Sequence, residues 1–249
     1  MNCFVPLPLC GLIAIVANIT APALASDESR RPNIILLMSD DQAVSTLGVY
    51  GNREVKTPNL DQLGRDGVVF DNYYNTTAIC MASRATVMSG LYEYRHGCNF
   101  GRGPLPAEKW RSTYPVLLKQ AGYHQVFLGG ASTKFAGKGS FLASHGYDEV
   151  YGKQELLHHL EDRSYLSGWG LYDDSLFAIA EEKFAQLAQQ QRPFNLTLLT
   201  VDTHFPEGDA SKKCPKYKVR NNTLLDAIHC SDLLVNQFIE KLSHHPAWQ

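Results

Sequence analysis

The sequence predicts an α/β fold in which a central, mostly parallel sheet is flanked by helices. Two apolar runs, Pro32 to Ser39 and Pro193 to Val201, are each followed by polar residues, which is typical of buried strands in parallel sheets. The first run is predicted to be a central strand of the sheet. The segments Asp174 to Gln191 and Leu224 to Leu242 carry apolar side chains at a spacing of three to four residues, which indicates helices. Strands that alternate with helices favour this fold class.

The elements between these segments follow from shorter patterns. Thr57 to Leu60 opens a short amphipathic helix, and Val68 to Phe70 is predicted to be extended. A polar loop then delivers Cys80, after which Ser83 to Met88 is predicted to be helical. A helix from Tyr114 to Ala121 should end at Gly122, and Gln125 to Leu128 should follow as a strand.

Composition and charge limit the classes of function. The chain has 249 residues, 44% of them hydrophobic and 19% charged, so it can bury one sizeable core. The formal net charge is −2 and no run of Lys or Arg stands out, so neither nucleic acid nor an anionic membrane is an expected partner. Selectivity must therefore come from a local site.

The N-terminal residues 1–25 are typical of a cleaved export signal. An apolar run from Leu9 to Val16 precedes Ala23 and Ala25, which have the small-x-small spacing of a signal peptidase site. This run is too short to span a membrane stably, and a buried N-terminal helix is the alternative. We therefore expect a periplasmic or secreted protein with a linker at residues 26–31 and a catalytic domain at residues 32–249.

Export permits disulfide bonds. The residues Cys214 and Cys230 flank a polar, loop-like segment and are predicted to pair. The alternative is two unpaired thiols.

Two adjacent carboxylates, Asp40 and Asp41, follow the first predicted strand, at the end where open α/β sheets place their ligands. Adjacent negative charges are costly unless a cation binds them, and oxygen ligands suit Ca²⁺, with Mg²⁺ or Mn²⁺ as alternatives. The alternative is an acidic pair that faces solvent.

A candidate nucleophile, Cys80, lies at or near a predicted helix N-terminus, where free N–H groups favour an anion. One turn later, Arg84 offers a planar set of donors for an oxyanion or a sulfate group. A lone Cys is more often a small buried apolar residue, which is the alternative for Cys80.

Further candidate site residues lie in the second half of the chain. His204 comes just after the second predicted strand and could hold a substrate oxyanion or act as a general acid. Trp169 could form a wall of the substrate site, and Lys134 and Lys138 are candidate anion contacts. Each could instead be a packed or solvated residue.

Three segments resemble the sulfatase N-terminal domain, namely Pro32 to Asp41, Thr57 to Asp61, and Cys80 to Arg84 with the letters Cys-Met-Ala-Ser-Arg. The last is similar to the signal by which a formylglycine-generating enzyme oxidises such a cysteine to formylglycine. The resemblance implies that the oxygen then present at position 80, in place of the Cys80 thiol, is a further metal ligand. The resemblance implies a metal-dependent sulfuric ester hydrolase with the alkaline-phosphatase/sulfatase-like sandwich fold. Its usual Gly-Lys-x-His segment is replaced here by Leu128 to Gly130, so Lys134 or Lys138 would have to substitute.

From about Gly129 onward the sequence resembles periplasmic phosphoglycerol transferases that modify glucans, through Trp169 to Asp174 and Leu199 to His204. Those enzymes use a threonine nucleophile, whereas this chain has Cys80 with Thr76 and Thr77 nearby. The two resemblances together imply a sulfated or phosphorylated carbohydrate substrate.

Three functions therefore compete. A formylglycine sulfatase is preferred because of Cys80, and a phosphoglycerol transferase is the alternative. Both families carry later metal ligands on a strand that this sequence does not reach, so the site is expected to be incomplete and the third alternative is a truncated, non-catalytic remnant.

Overall fold

The structure is a computed structural model that describes residues 31–217 and 222–248. Residues 32–249 form one compact unit, and the predicted export signal lies outside the described residues. The strands are β1 Ile34–Met38, β2 His124–Gly129, β3 Glu149–Tyr151 and β4 Phe194–Leu199. The α-helices of the described ranges are α1 Pro58–Asp66, α2 Cys80–Ser89, α3 Glu93–His96, α4 Ala107–Trp110, α5 Tyr114–Gln120, α6 Lys138–Ser144, α7 Lys153–Leu156, α8 Asp173–Ala188 and α9 Thr223–Ser243.

The four described strands form one parallel sheet in the order β1-β4-β2-β3. This confirms the predicted α/β class, in which a central parallel sheet is flanked by helices. The expectation that the first apolar run forms a central strand is wrong for this part of the chain, because β1 lies at the edge and its residues are only partly buried. By contrast, β4 pairs on both sides and all six of its residues are buried.

Hydrophobic packing covers the two faces of the sheet with different helices, because successive strand residues point to opposite faces. On one face, Leu196 and Leu198 of β4 pack with α8 and α9 in the main core. On the other face, Leu199 and Phe127 pack with Met88 of α2 and with α6. Each fully buried Leu or Phe contributes about 1.5–3 kcal/mol, so α2 is held against the sheet by its apolar side.

Helix α9 organises the first part of the chain through a buried carboxylate. Asp232 is 1% exposed and accepts hydrogen bonds from the backbone N–H groups of Asn59 and Leu60 at 3.1 and 2.7 Å. These N–H groups lie in the first turn of α1, where they have no partner within the helix. The same helix carries Cys230, which forms the predicted disulfide with Cys214.

Two details of the secondary structure differ from the sequence prediction. Val68 to Phe70 forms no strand, and Val68 and Phe70 are 77% and 68% exposed. Strand β3 was not predicted, because three residues are too few for a period to show. Within the described ranges, every helix is either too short or too polar to cross a membrane.

Candidate active site

The residue Cys80 begins α2, preceded by the extended residue Ile79. Four residues later, Arg84 faces the same side and its Nη2 donates to Oδ1 of Asp40 at 2.9 Å. Asp40 follows β1 and is 9% exposed. The parallel sheet and the packed helix thus bring together Cys80, a cation and a carboxylate from two distant segments.

Among the described residues, Asp40, Asp41 and His204 form a cluster whose ligand atoms all lie within 4.8 Å of one another. Asp41 has φ of +54°, a backbone conformation that Asp tolerates better than most residues. The Nδ1 atom of His204 lies 2.7 Å from the carbonyl oxygen of Phe205, and 3.6 Å from Oδ2 of Asp41. A carbonyl only accepts, so Nδ1 is the donor in this contact.

This arrangement fits a divalent metal ion. The side chains supply two carboxylates and one imidazole, a set of groups that could hold a metal ion. The cluster of the described residues does not include Cys80, which lies in the adjoining cavity with Arg84. The predicted role of Cys80 as a metal ligand therefore stays a prediction.

The loop that carries His204 is held by two buried carboxyl groups that the sequence analysis did not assign. Asp173, which begins α8 and is 0% exposed, accepts from the backbone N–H groups of Val201 and Asp202 at 2.8 and 3.3 Å. In return, Asp202 accepts from the N–H of Asp173 at 3.1 Å and from the hydroxyl of Ser211 at 2.6 Å. The end of β4 and the start of α8 therefore hold each other in position through these hydrogen bonds.

Burial raises the pKa of Asp173 well above its usual range, and the nearby Asp202 adds to this. The pKa of Asp202 is also raised by burial. The sequence signal for this pair was an acid at the start of a long helix and another just after a buried strand, but neither showed that the two meet.

The ring of Trp169 stacks on the ring of His204, with centroids 3.7 Å apart and an angle of 26° between the planes. Trp169 is 42% exposed and also meets Phe135 edge-on at 6.1 Å. The segment that follows it packs against the end of β2, where a Cβ at Gly130 would lie 2.9 Å from the carbonyl oxygen of Leu171. A side chain at Gly130 would therefore clash with the segment that follows Trp169.

The two candidate lysines lie in different surroundings. Lys138 begins α6 and lines the same cavity as Cys80 and Arg84. Burial, together with the charge of Arg84, lowers the pKa of Lys138 to about 8, although Asp40 and Cys80 partly oppose the shift. Lys134 is exposed and does not line this cavity.

A buried histidine, His96, contacts α2 through a side chain of that helix. His96 is 1% exposed, and its Nδ1 accepts from the backbone N–H of Cys98 at 3.0 Å. Its Nε2 therefore carries the proton and donates to the hydroxyl of Thr86 at 3.1 Å, which in turn donates to the carbonyl of Ala82. Burial lowers the pKa of His96, in keeping with a neutral ring.

Known proteins resemble this chain in sequence and in fold. Phosphoglycerol transferase I of Salmonella arizonae is 41% identical over 134 residues, which cover 52% of this chain and 18% of that protein. The chain thus spans less than a fifth of the length of this curated relative.

Among solved structures, a protein in the alkaline phosphatase superfamily from Vibrio parahaemolyticus matches with a TM-score of 0.70 and 23% identity, covering 88% of this chain and 52% of that one. The lipoteichoic acid synthase LtaP from Listeria monocytogenes matches with a TM-score of 0.64 and 18% identity, covering 88% and 54%. These two similarities show the shared fold. The model of the Sulfatase family matches residues 32–248, and the chain therefore belongs to the sulfatase family.

Proposed function

We propose that this chain carries the catalytic site of a metal-dependent sulfuric ester hydrolase that uses a formylglycine derived from Cys80. The observation that carries the proposal is the 2.9 Å contact between Arg84 and Asp40. It joins the helix that begins with Cys80 to the cluster of Asp40, Asp41 and His204. A nucleophile, a cation for the sulfate group and a metal cluster therefore share one end of the sheet.

In this proposal, each group of side chains has a separate role. The positive charges of Arg84 and Lys138 hold the sulfate oxygens near position 80, and the N-terminal turn of α2 adds N–H groups that favour an anion. Formylglycine, in its hydrated form, would supply an oxygen that attacks the sulfur of the ester. Asp40, Asp41 and His204 would hold the metal ion.

A divalent ion at this cluster would stabilise negative charge on the ester oxygens. The sequence predicted Ca²⁺, Mg²⁺ or Mn²⁺ from carboxylates alone. With the imidazole of His204 added to the donor set, Mn²⁺ is favoured among these, since Ca²⁺ and Mg²⁺ prefer oxygen ligands throughout. A protein partner follows from the same proposal, namely the enzyme that would generate formylglycine.

The mass of the tryptic peptide that ends at Arg84 tests the nucleophile. When the protein is co-expressed with a formylglycine-generating enzyme, we expect this peptide to carry formylglycine at position 80. The peptide that contains Cys98, a free thiol that is 4% exposed, should stay unmodified in the same sample. An unmodified Cys80 under these conditions would remove the sulfatase mechanism.

The second candidate is phosphoglycerol transfer, and the 41% identity to phosphoglycerol transferase I favours it. That reaction would need a hydroxyl nucleophile in place of Cys80. Thr76 is exposed and Thr77 is half-buried, and neither lines the cavity shared by Cys80 and Arg84. Release of labelled phosphoglycerol from a donor by the Cys80→Ala variant would favour this candidate over the hydrolase.

The predicted carbohydrate substrate and the periplasmic or secreted location belong to the proposal as well. The exposed ring of Trp169 next to His204 supports a sugar or another ring at the outer edge of the site. Turnover of an aryl sulfate by the 249-residue chain tests the third alternative of a non-catalytic remnant.

A further inference from the structure

The segments that follow β1 and β4 are joined by a buried side-chain hydrogen bond. Beyond the last paired residues of these strands, Met38 and Leu199, one segment leads to Asp40 and the other to His204. The hydroxyl of Thr203 donates to the backbone carbonyl of Asp40 at 2.6 Å. Thr203 is 0% exposed, so water does not compete for this bond.

The backbone on both sides of Thr203 is held in place. The N–H of Asp202 donates to Asp173 at 3.3 Å, and the N–H of His204 donates to the carbonyl of Val201 at 3.0 Å. A β-branched side chain has restricted χ1 rotamers, so this backbone also directs the hydroxyl. Thr203 is therefore a fixed donor, to which the carbonyl of Asp40 is attached.

The carbonyl of Asp40 belongs to the same planar peptide unit as the N–H of Asp41. Rotation of this unit changes the φ angle of Asp41, which is +54°. Residues with a side chain reach this left-handed region only at a cost in free energy, although Asp tolerates it better than most. A hydrogen bond that holds the peptide unit therefore also holds Asp41 in this conformation.

The conformation of Asp41 matters because its carboxylate belongs to the metal cluster. Its Oδ2 accepts from the N–H of Phe205 at 3.3 Å and lies 3.6 Å from Nδ1 of His204. The carboxylates of Asp40 and Asp41 extend from the two α-carbons that the peptide unit joins. If the unit can rotate, each carboxylate gains a wider range of directions, and the cluster is less well ordered before an ion binds.

We infer that Thr203 is a positioning residue for the metal cluster. Its hydroxyl fixes the peptide unit between Asp40 and Asp41 and thereby keeps both carboxylates beside His204. The inference rests on the metal site of the proposed function and deepens it, because it adds a residue that acts through two of the ligands.

Calorimetric titration of the full chain with Mn²⁺ tests the inference. Thr203→Val keeps the shape of the side chain and removes the donor, so Mn²⁺ affinity should fall by about 10- to 100-fold, as it does when groups that hydrogen-bond to metal ligands are removed. Thr203→Ser keeps the donor and should bind Mn²⁺ nearly as tightly as the parent. Thr203→Cys has a weaker donor; it replaces the valine variant if that variant does not fold, and its affinity should lie below that of the serine variant.

The matched control is Thr113→Val. Thr113 is also 0% exposed, and its hydroxyl donates to the backbone carbonyl of Trp110 at 2.8 Å, outside the cluster. Because each valine variant loses one buried hydrogen bond, both should lower the midpoint of urea unfolding to a similar extent. Only Thr203→Val should lose Mn²⁺ affinity.

Equal Mn²⁺ affinity in Thr203→Val and the parent would overturn the inference, and so would a serine variant as weak as the valine variant. An equal loss of affinity in Thr113→Val would overturn it as well, since a general loss of stability would then explain the effect. A Cys80 that is never converted to formylglycine would remove the sulfatase mechanism and leave the role of Thr203 standing. A parent protein that binds no Mn²⁺ would remove both the metal site and the role of Thr203.

Discussion

Replacing Asp173 by alanine should loosen the loop that carries His204. Both oxygens of Asp173 accept buried backbone N–H groups, from Val201 at 2.8 Å and from Asp202 at 3.3 Å. Those two residues are 2% and 1% exposed, so water cannot replace the lost partner without entering the core.

The magnitude follows from these two contacts. A buried donor left without a partner costs about 1–3 kcal/mol, so Asp173→Ala should lower the free energy of unfolding by about 2–6 kcal/mol. This is a large part of the 5–15 kcal/mol that stabilises a typical domain, about two fifths of it at the midpoints of both ranges. Asp173→Asn keeps one accepting oxygen and removes the repulsion with Asp202 that raises the pKa of Asp173, so its loss should be less than half as large.

Urea unfolding followed by fluorescence measures the loss of stability. Calorimetric titration with Mn²⁺ measures whether the loop still positions His204 for metal binding. We expect both stability and Mn²⁺ affinity to fall in the order parent, Asp173→Asn, Asp173→Ala. The matched control is Asp71→Ala, which removes an exposed carboxylate outside this network. Equal stability of Asp173→Ala and the parent would refute the reasoning, and a loss of stability with unchanged Mn²⁺ affinity would show that the pair does not position His204.

Three further predictions follow from single contacts. Asp41→Asn keeps a residue that tolerates φ of +54° but removes a negative charge. Because the loss of a residue that only hydrogen-bonds to a metal ligand already costs about 10- to 100-fold in affinity, Mn²⁺ affinity should fall by about 100-fold or more. An unchanged titration curve would show that the cluster binds no metal. Replacing Cys214 and Cys230 by serine opens a loop with a sequence separation of 16 and should lower the free energy of unfolding by about 3 kcal/mol, which urea unfolding with and without reductant would check. The pKa of His96 is lowered in the folded chain, so the contribution of His96 to stability is complete above the unfolded pKa of about 6.5 and declines as pH falls from there to the folded pKa. A His96→Gln variant should lose this part of the pH dependence of unfolding. An identical pH profile in variant and parent would contradict the assignment.

The local elements were predictable because their signals lie within a few residues. The apolar spacing of α8 and α9, the buried run of β4 and the start of a helix near Cys80 all came from short-range pattern and were confirmed. The disulfide was also predicted, because Cys214 and Cys230 flank one loop-like segment and are close in sequence. Each of these is set by local periodicity and chain connectivity.

Tertiary structure alone decided which distant residues meet. The apolar run of β1 predicted a central strand, yet strand order depends on how crossovers pack, and β1 lies at the edge of the described sheet. His204 joins Asp41 across 163 positions of sequence because β1 and β4 are neighbours in a parallel sheet, so their ends meet at one edge. No sequence pattern distinguished Lys134 from Lys138 as an anion contact, but only Lys138 lines the cavity that contains Cys80. Such contacts are fixed by the packing of helices on the sheet, a long-range property that no local pattern in the chain encodes.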